Sequence, residues 1–324
     1  MKRRLFLSAA CLLSALTLFG QSESAFQFLQ LPTSARVAGA GGDNVTLTAD
    51  DPMVAFHNPA LLTWCSEGQL SLSYMNYMEG TNRAGASYTL RPGDRSALAF
   101  GGQYLGFGSM SQTAVDGSDM GTFSAKDMLL TALYSYDLSD RWSGGVAAKF
   151  IYSNYDIVYS VALGVDLGVN YYDSDNDFSF SLVARQLGGQ VKTYDGLHEP
   201  LPFSVVAGIS KGLAHAPVTV SLTMPDLNRW APADFYGCDE NTRFGALLLR
   251  HMVLGAQVHA TDNVYLSLGY DHRRHCELST SGRRSLAGLS LGAGIGVGRI
   301  GVDLAYSRYH AAGNSLLMNI SYVL

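Results

Sequence analysis

The chain has 324 residues, of which 15% are charged and 47% hydrophobic, with 35 Gly, 18 Tyr and a formal net charge of -5. The charged share lies below the roughly 25% of ordinary domains, and the negative balance gives no reason to expect nucleic acid as a partner. Few charges with many glycines and tyrosines suit strands that carry a lipid face, small interior residues and aromatic girdles.

Lys2, Arg3 and Arg4 precede an apolar run from Leu5 to Phe19, and small or polar residues continue as far as Ser24. This is the layout of a removable export signal, assigned to residues 1–20. The run is about 15 residues, short for a membrane-spanning helix. Ser8-Ala9-Ala10 before Cys11 would leave a lipoprotein signal too short an apolar region. Without Cys11, only Cys65, Cys238 and Cys276 remain, too few for a disulfide scaffold in the oxidising compartment that export implies.

Residues 21–68 do not read as strands, because Gly39, Gly41, Gly42, Asp50-Asp51-Pro52 and Asn58-Pro59 interrupt every period. Phe26, Phe28, Leu29, Leu31, Phe56, Leu61, Leu62 and Trp64 make the segment too apolar to stay solvated. It is therefore expected to act as a plug at the mouth of the strand-rich domain C-terminal to it, with Phe28, Leu31 and Trp64 buried.

From residue 69 onward, period-two runs bounded by turn residues predict 14 strands. They fall near 69–77, 84–91, 96–105, 128–138, 141–153, 159–172, 177–187, 203–210, 218–224, 245–260, 264–272, 286–297, 300–309 and 315–324. In the last of these, Leu316, Met318, Ile320, Tyr322 and Leu324 share one face, while Ser315, Asn319 and Ser321 share the other. Every very long connection is odd in number and the even ones are short. Outer-membrane barrels alternate in this way, with short turns in the periplasm and long loops outside. The expected fold is all-β: a 14-stranded antiparallel transmembrane β-barrel over residues 69–324 with an N-terminal periplasmic plug. It sits in the outer membrane, in contact with its lipid and lipopolysaccharide, with both termini periplasmic.

Motifs of chemistry do not survive their context. Ser290 stands in a Gly-x-Ser-x-Gly match, but inside a strand with no helix after it. Gly296, Gly298 and Gly301 lack the βαβ setting of a dinucleotide site and read as barrel glycines against a crowded interior. Asp173, Asp175 and Asp177 imitate a calcium loop without its Gly and Glu. His272, His275 and Cys276 have no second ligand pair. No catalytic residue, cofactor or metal is assigned.

Two predicted outer loops, 225–244 and 273–285, are separated by one hairpin and should stand side by side. The first carries Trp230, Phe235 and Tyr236 with Asp234, Asp239 and Glu240; the second carries Arg273, Arg274, Arg283 and Arg284. Aromatic anchors beside opposite charges make a docking surface. Each loop also holds one cysteine, Cys238 and Cys276, and a disulfide between them would restrain the pair.

The plug segment carries a run that resembles a known family. Phe26-x-Phe28-Leu29-x-Leu31-Pro32-x-Ser34-Ala35-Arg36, then Ala38 and Gly41-Gly42, then Asn58-Pro59-Ala60-Leu61-Leu62, is similar to the PorV/PorQ family of type IX secretion outer-membrane proteins, and closest to PorQ. The Asn-Pro-Ala element is shared with the wider FadL-like transporters. The resemblance implies a non-enzymatic 14-stranded barrel of Bacteroidota. Its partners would be a PorZ-like surface protein, PorU and PorV, in a complex that joins secreted cargo to lipopolysaccharide. The alternative is a FadL-like transporter of hydrophobic small molecules. A lumen sealed by plug and polar side chains favours the first, and a continuous apolar cavity with a side opening favours the second.

Overall fold

The computed structural model describes residues 26–324, except 79, 114, 115, 117, 240, 262, 279–285, 311 and 312. The assigned export signal, Glu240, Arg283 and Arg284 thus lie outside the described residues.

Fourteen antiparallel strands close into one barrel, each paired with its sequence neighbours. They are β1 Gln69–Met78, β2 Thr81–Gly93, β3 Ser96–Thr113, β4 Asp119–Asp137, β5 Trp142–Tyr155, β6 Val158–Asp173 and β7 Phe178–Lys192. The second half is β8 Ser204–Gly212, β9 Val218–Met224, β10 Val253–Thr261, β11 Val264–Asp271, β12 Leu289–Val297, β13 Ile300–His310 and β14 Gly313–Val323. The barrel closes where β14 runs against β1, with Val323 opposite Gln69 and Leu316 opposite Asn76. Closure leaves no edge along the shared height of the wall, which lipid requires of a spanning sheet.

The alternation that predicted the strands also sorts their faces. In β1, Leu70, Leu72 and Tyr74 point out, whereas Gln69, Ser71, Ser73 and Met75 are buried inside. The same outward apolar row continues through Phe100, Leu130, Phe150 and Leu163 on the next strands. Short turns and the C-terminal Leu324, whose amide bonds the Gly68 carbonyl, mark the near end; long connections gather at the far end.

Several boundaries differ from the sequence reading. Residues 245–260 do not form one strand. Phe244–Arg250 is helix α3, because Ala246, Leu247, Leu248 and Leu249 are strong helix formers outside the ladder, and β10 starts only at Val253. His272, read as a strand end, begins helix α4, His272–Leu278. Conversely β3 and β4 run well past their predicted ends, as a hairpin that outgrows its neighbours.

Candidate functional site: the plugged lumen and its outer rim

Residues 26–68 occupy the barrel interior and travel once around its inner wall. They contain helix α1, Ala35–Gly39, helix α2, Pro52–Ala55, and 3-10 turns at Gln27–Gln30 and Pro59–Trp64. The family-like motif is what attaches them. Arg83 of β2 donates to the carbonyls of Leu31 and Pro32 at 3.0 and 2.9 Å, and to the Thr33 hydroxyl at 3.0 Å. Two strands along the wall, Asn319 of β14 takes the Ala35 amide and gives a bond back to the Thr33 carbonyl at 3.2 Å. Ser34 caps α1, and the Arg36 guanidinium reaches Asp303 of β13 at 3.4 Å while lying 4.1 Å over the Tyr265 ring.

The circuit continues in descending strand order. Ser290 of β12, the hydrolase-like serine, donates to the Gly39 carbonyl, so its hydroxyl is spent on holding the plug. Gly41 and Gly42 adopt φ of 108° and 100°, which glycine alone takes freely, and turn the chain beneath β10 and β11. Asn44 bonds Ser221 of β9, Val45 packs on Val183 and Val206, and Asn58 bonds Ser181 of β7 while capping the turn that starts at Pro59. Inward glycines supply the clearance. A Cβ on Gly145 would lie 2.3 Å from the Pro59 carbonyl carbon, and one on Gly101 2.3 Å from the Phe56 ring. These are backbone-to-backbone and ring-to-backbone contacts that admit no side chain.

Phe26 and Phe28 are buried among Leu105, Leu129, Ile151, Ala162 and Leu201, in the far half of the barrel. Phe26 also faces Tyr194 at 6.3 Å. The described residues start at Phe26, deep in the far half, while Leu324 lies at the near end; residues 1–25 lie outside the described residues. The expectation of a buried Trp64 is corrected. It is 40% exposed at the near mouth and meets Tyr172 edge-on at 4.8 Å, because the 3-10 turn carries it past the last ring of wall residues. Leu31 is half-buried, since its carbonyl and not its side chain is what Arg83 holds.

Charged side chains that sequence reasoning passed over fill the middle of the lumen. Lys149 pairs with Asp166 at 2.5 Å and Arg185 with Asp43 at 2.8 Å, and Arg185 donates to the His57 carbonyl at 3.1 Å. A bulge in β7 makes this arrangement, because Arg185 and Gln186 together oppose the single residue Asp166. Two consecutive side chains thereby aim inward, which an unbroken strand cannot do. His57 accepts the Thr33 amide at 3.0 Å, and burial, then Arg185, Arg83 and Lys149, hold its imidazole neutral. A usable signal was in the sequence: Arg83, Lys149, Asp166 and Asp303 all fall on the polar phase of their strands.

Two concavities lie outside this interior. One, about 790 Å³, is a trough on the outer wall between Leu70 and Val165, and the other, about 440 Å³, is a cleft at the near mouth beside Trp64 and Arg141.

At the far rim the predicted docking residues are brought together, but not as an open patch. Arg273 is held between Asp226 at 2.7 Å and Glu277 at 2.9 Å, over the Phe235 ring at 5.1 Å. Arg274 pairs with Asp271 at 3.1 Å, donates to the Gly41 carbonyl at 3.3 Å and covers Tyr309. Arg273 therefore clasps one outer loop to the other, and Arg274 clasps its loop to the plug. His251 sits between Trp230 at 4.3 Å and Phe235 at 5.1 Å, and Trp230 stacks on Phe244 at 5.6 Å. Tyr236, 79% exposed, and Asp239 remain at the surface. The Cys238–Cys276 disulfide is not formed. Both thiols are free: Cys276 rides on α4 with its sulfur 3.5 Å from His272, while Cys238 closes a turn onto the Phe235 carbonyl. Among the described residues no group of three or more His, Cys, Asp or Glu could hold a metal ion.

No family model and no curated protein matches the chain. Solved structures do. The toluene transporter TodX of Pseudomonas putida superposes with a TM-score of 0.58 at 13% identity, covering 90% of this chain and 98% of its own. The monoaromatic hydrocarbon channel CymD gives 0.56 at 16%, covering 92% and 98%. A FadL homologue of Pseudomonas aeruginosa gives 0.53 at 12%, covering 90% and 98%. At such identities the likeness speaks for architecture alone, and it covers 90–92% of the chain: this protein has the fold of the FadL-type outer-membrane barrels.

Proposed function

We propose that the protein is a non-enzymatic anchor barrel of the type IX secretion machinery, a PorQ-like component that holds a PorZ-like surface partner together with PorU and PorV near lipopolysaccharide. The observation that carries this reading is the use made of the Phe26–Arg36 motif. Its carbonyls, amides and guanidinium are fixed by Arg83, Asn319 and Asp303 on β2, β14 and β13, one arc of the wall, and the residues after it bond strands around the rest, so the plug is built into the barrel as a brace. A brace that touches every side of the lumen gives a rigid platform for long loops and leaves ions and polar groups in the middle, where a hydrophobic solute would need an apolar path. Affinity capture from detergent-solubilised outer membrane tests it. Co-purification of other secretion components is expected, and their absence under conditions that keep the barrel folded would contradict the reading.

The comparisons by themselves favour a second reading, an outer-membrane transporter of hydrophobic small molecules. TodX and CymD are described as carriers of toluene and monoaromatic hydrocarbons. The aromatic cluster of Phe26, Phe107, Tyr155 and Tyr194 in the far half is the place where such a solute would first meet this chain. Uptake of radiolabelled toluene into proteoliposomes above the protein-free rate would support it.

A further inference from the structure

The β3–β4 hairpin outgrows the barrel. The last residue of β3 paired with β2 is Gly106, opposite Asn82, and the last of β4 paired with β5 is Ala125, opposite Tyr155. Beyond them the two strands continue alone, with Ser109 opposite Ser124, Ser111 opposite Thr122 and Thr113 opposite Asp119. Five residues on each strand, at about 3.4 Å per residue, project roughly 17 Å past the rim. Apart from the base, where the Ser124 carbonyl accepts the Asp156 amide at 3.3 Å and Gly80 lies against Gly108, no other strand among the described residues pairs with either ribbon edge.

Three observations say what belongs on those edges. A two-stranded ribbon is marginal in water and gains from a third strand. Natural open edges are blunted by Lys, Pro or inward charge, yet between Phe107 and Ala125 the sequence has no Lys, Arg or Pro. Ser109, Ser111, Thr113, Thr122 and Ser124 along the ribbon are short and exposed, in alternation with Met110, Gln112 and Phe123, so a backbone can approach closely beside them. The only charges are Asp116 and Asp119, both exposed at the tip.

We infer that this ribbon is a strand-addition site, which takes an extended segment of a partner polypeptide as its third strand, with a basic residue of that segment beside Asp116 and Asp119. Main-chain hydrogen bonds supply affinity in this mode, and the acidic tip sets direction. The inference deepens the anchor reading, since it gives the docking mode, but the ribbon geometry does not depend on which machinery the partner belongs to.

The test uses the full protein in lipid nanodiscs and a synthetic peptide, Lys-Thr-Val-Thr-Val-Thr-Lys, at millimolar concentration, read by hydrogen–deuterium exchange. The amides of 109–113 or of 120–123 should exchange at least about threefold more slowly with the peptide present. The same peptide N-methylated at alternate residues should have no effect, and a version with Glu in place of Lys should protect less. Ser111→Lys with Thr122→Lys, which leave the wall untouched, should abolish protection while the barrel keeps its heat-modifiable mobility. Unchanged exchange with the peptide, equal protection by the N-methylated peptide, or protection that instead rises with protein concentration would each overturn the inference, the last because a second copy then covers the edge. No secretion component enters this assay, so its failure is separate from failure of the capture experiment.

Discussion

The Ser34 hydroxyl donates to Asp51 Oδ2 at 2.7 Å, tying the cap of α1 to the cap of α2 inside the barrel. The other Asp51 oxygen accepts the Met53 amide at 2.9 Å, so one carboxylate fixes two helix starts seventeen residues apart. Burial first, and then the Asp303 carboxylate, push the Asp51 carboxyl up to about 6.

That shift has a sign. A carboxyl that titrates higher in the folded than in the unfolded chain stabilises the fold in its protonated form. The contribution is full below about pH 4 and is lost as pH rises through about 6, a difference of about 3 kcal/mol. The midpoint of the heat-modifiable gel shift should fall between pH 4 and pH 7. Asp51→Asn, which keeps an acceptor for Met53, should flatten that slope. An unaltered slope in the variant would assign the pH dependence to other groups.

Arg83 is the strongest single tie between wall and plug. Arg83→Met removes three bonds to Leu31, Pro32 and Thr33 and leaves two buried carbonyls unpaired, about 3 kcal/mol or more of lost stabilisation. The expected result is a folded barrel whose residues 26–42 become open to protease. Protection equal to the parent protein would show that Asn319 and Asp303 suffice.

Neighbouring glycines give a directional control. Gly145 faces Pro59 and Ala60, whereas Gly144 faces out beside Leu138. Gly145→Ala should displace the plug and lower the yield of folded barrel, and Gly144→Ala should be neutral. Equal yields from both would mean that the plug shifts without strain.

Legibility in the sequence depends on the range of each contact. Strand number and the alternation of short and long connections are local, carried by period-two runs such as Gln69–Met78 and by turn residues such as Pro92-Gly93. The plug as a class was legible too, from Phe26 and Phe28 set among helix and strand breakers. Its path was not. The contact of Phe26 with Leu201, or of Ala35 with Asn319, joins residues far apart in sequence, and nothing near either residue announces the partner. The ribbon was missed because Ser, Thr and Gly alternate nothing that a hydrophobic period can detect. α3 was read as strand because its leucines continue an apolar run. Arg273 and Arg274 looked free because their partners Asp226 and Asp271 lie on other segments or just before the loop.

The partners of Arg273 and Arg274 change how the far rim should be probed. Arg273 is only partly exposed, and Asp226 and Glu277 hold it over Phe235. Reversing it to Glu would place three carboxylates together and open the loop, so lost partner capture would not distinguish a docking arginine from a clasping one. The exchange Asp226→Arg with Arg273→Asp keeps an opposite pair at the same position. If Arg273 acts as a clasp, Arg273→Glu should lower the heat-modification midpoint and expose the loop to protease, and the exchanged pair should recover most of both. Partner capture should then recover with the fold. If the exchanged protein is as stable as the parent yet captures nothing, the guanidinium of Arg273 itself meets the partner, and the clasp assignment fails. Cysteine chemistry offers an internal check on the same loops: Cys238 and Cys276, both free and partly exposed, should take up maleimide equally with and without prior reduction.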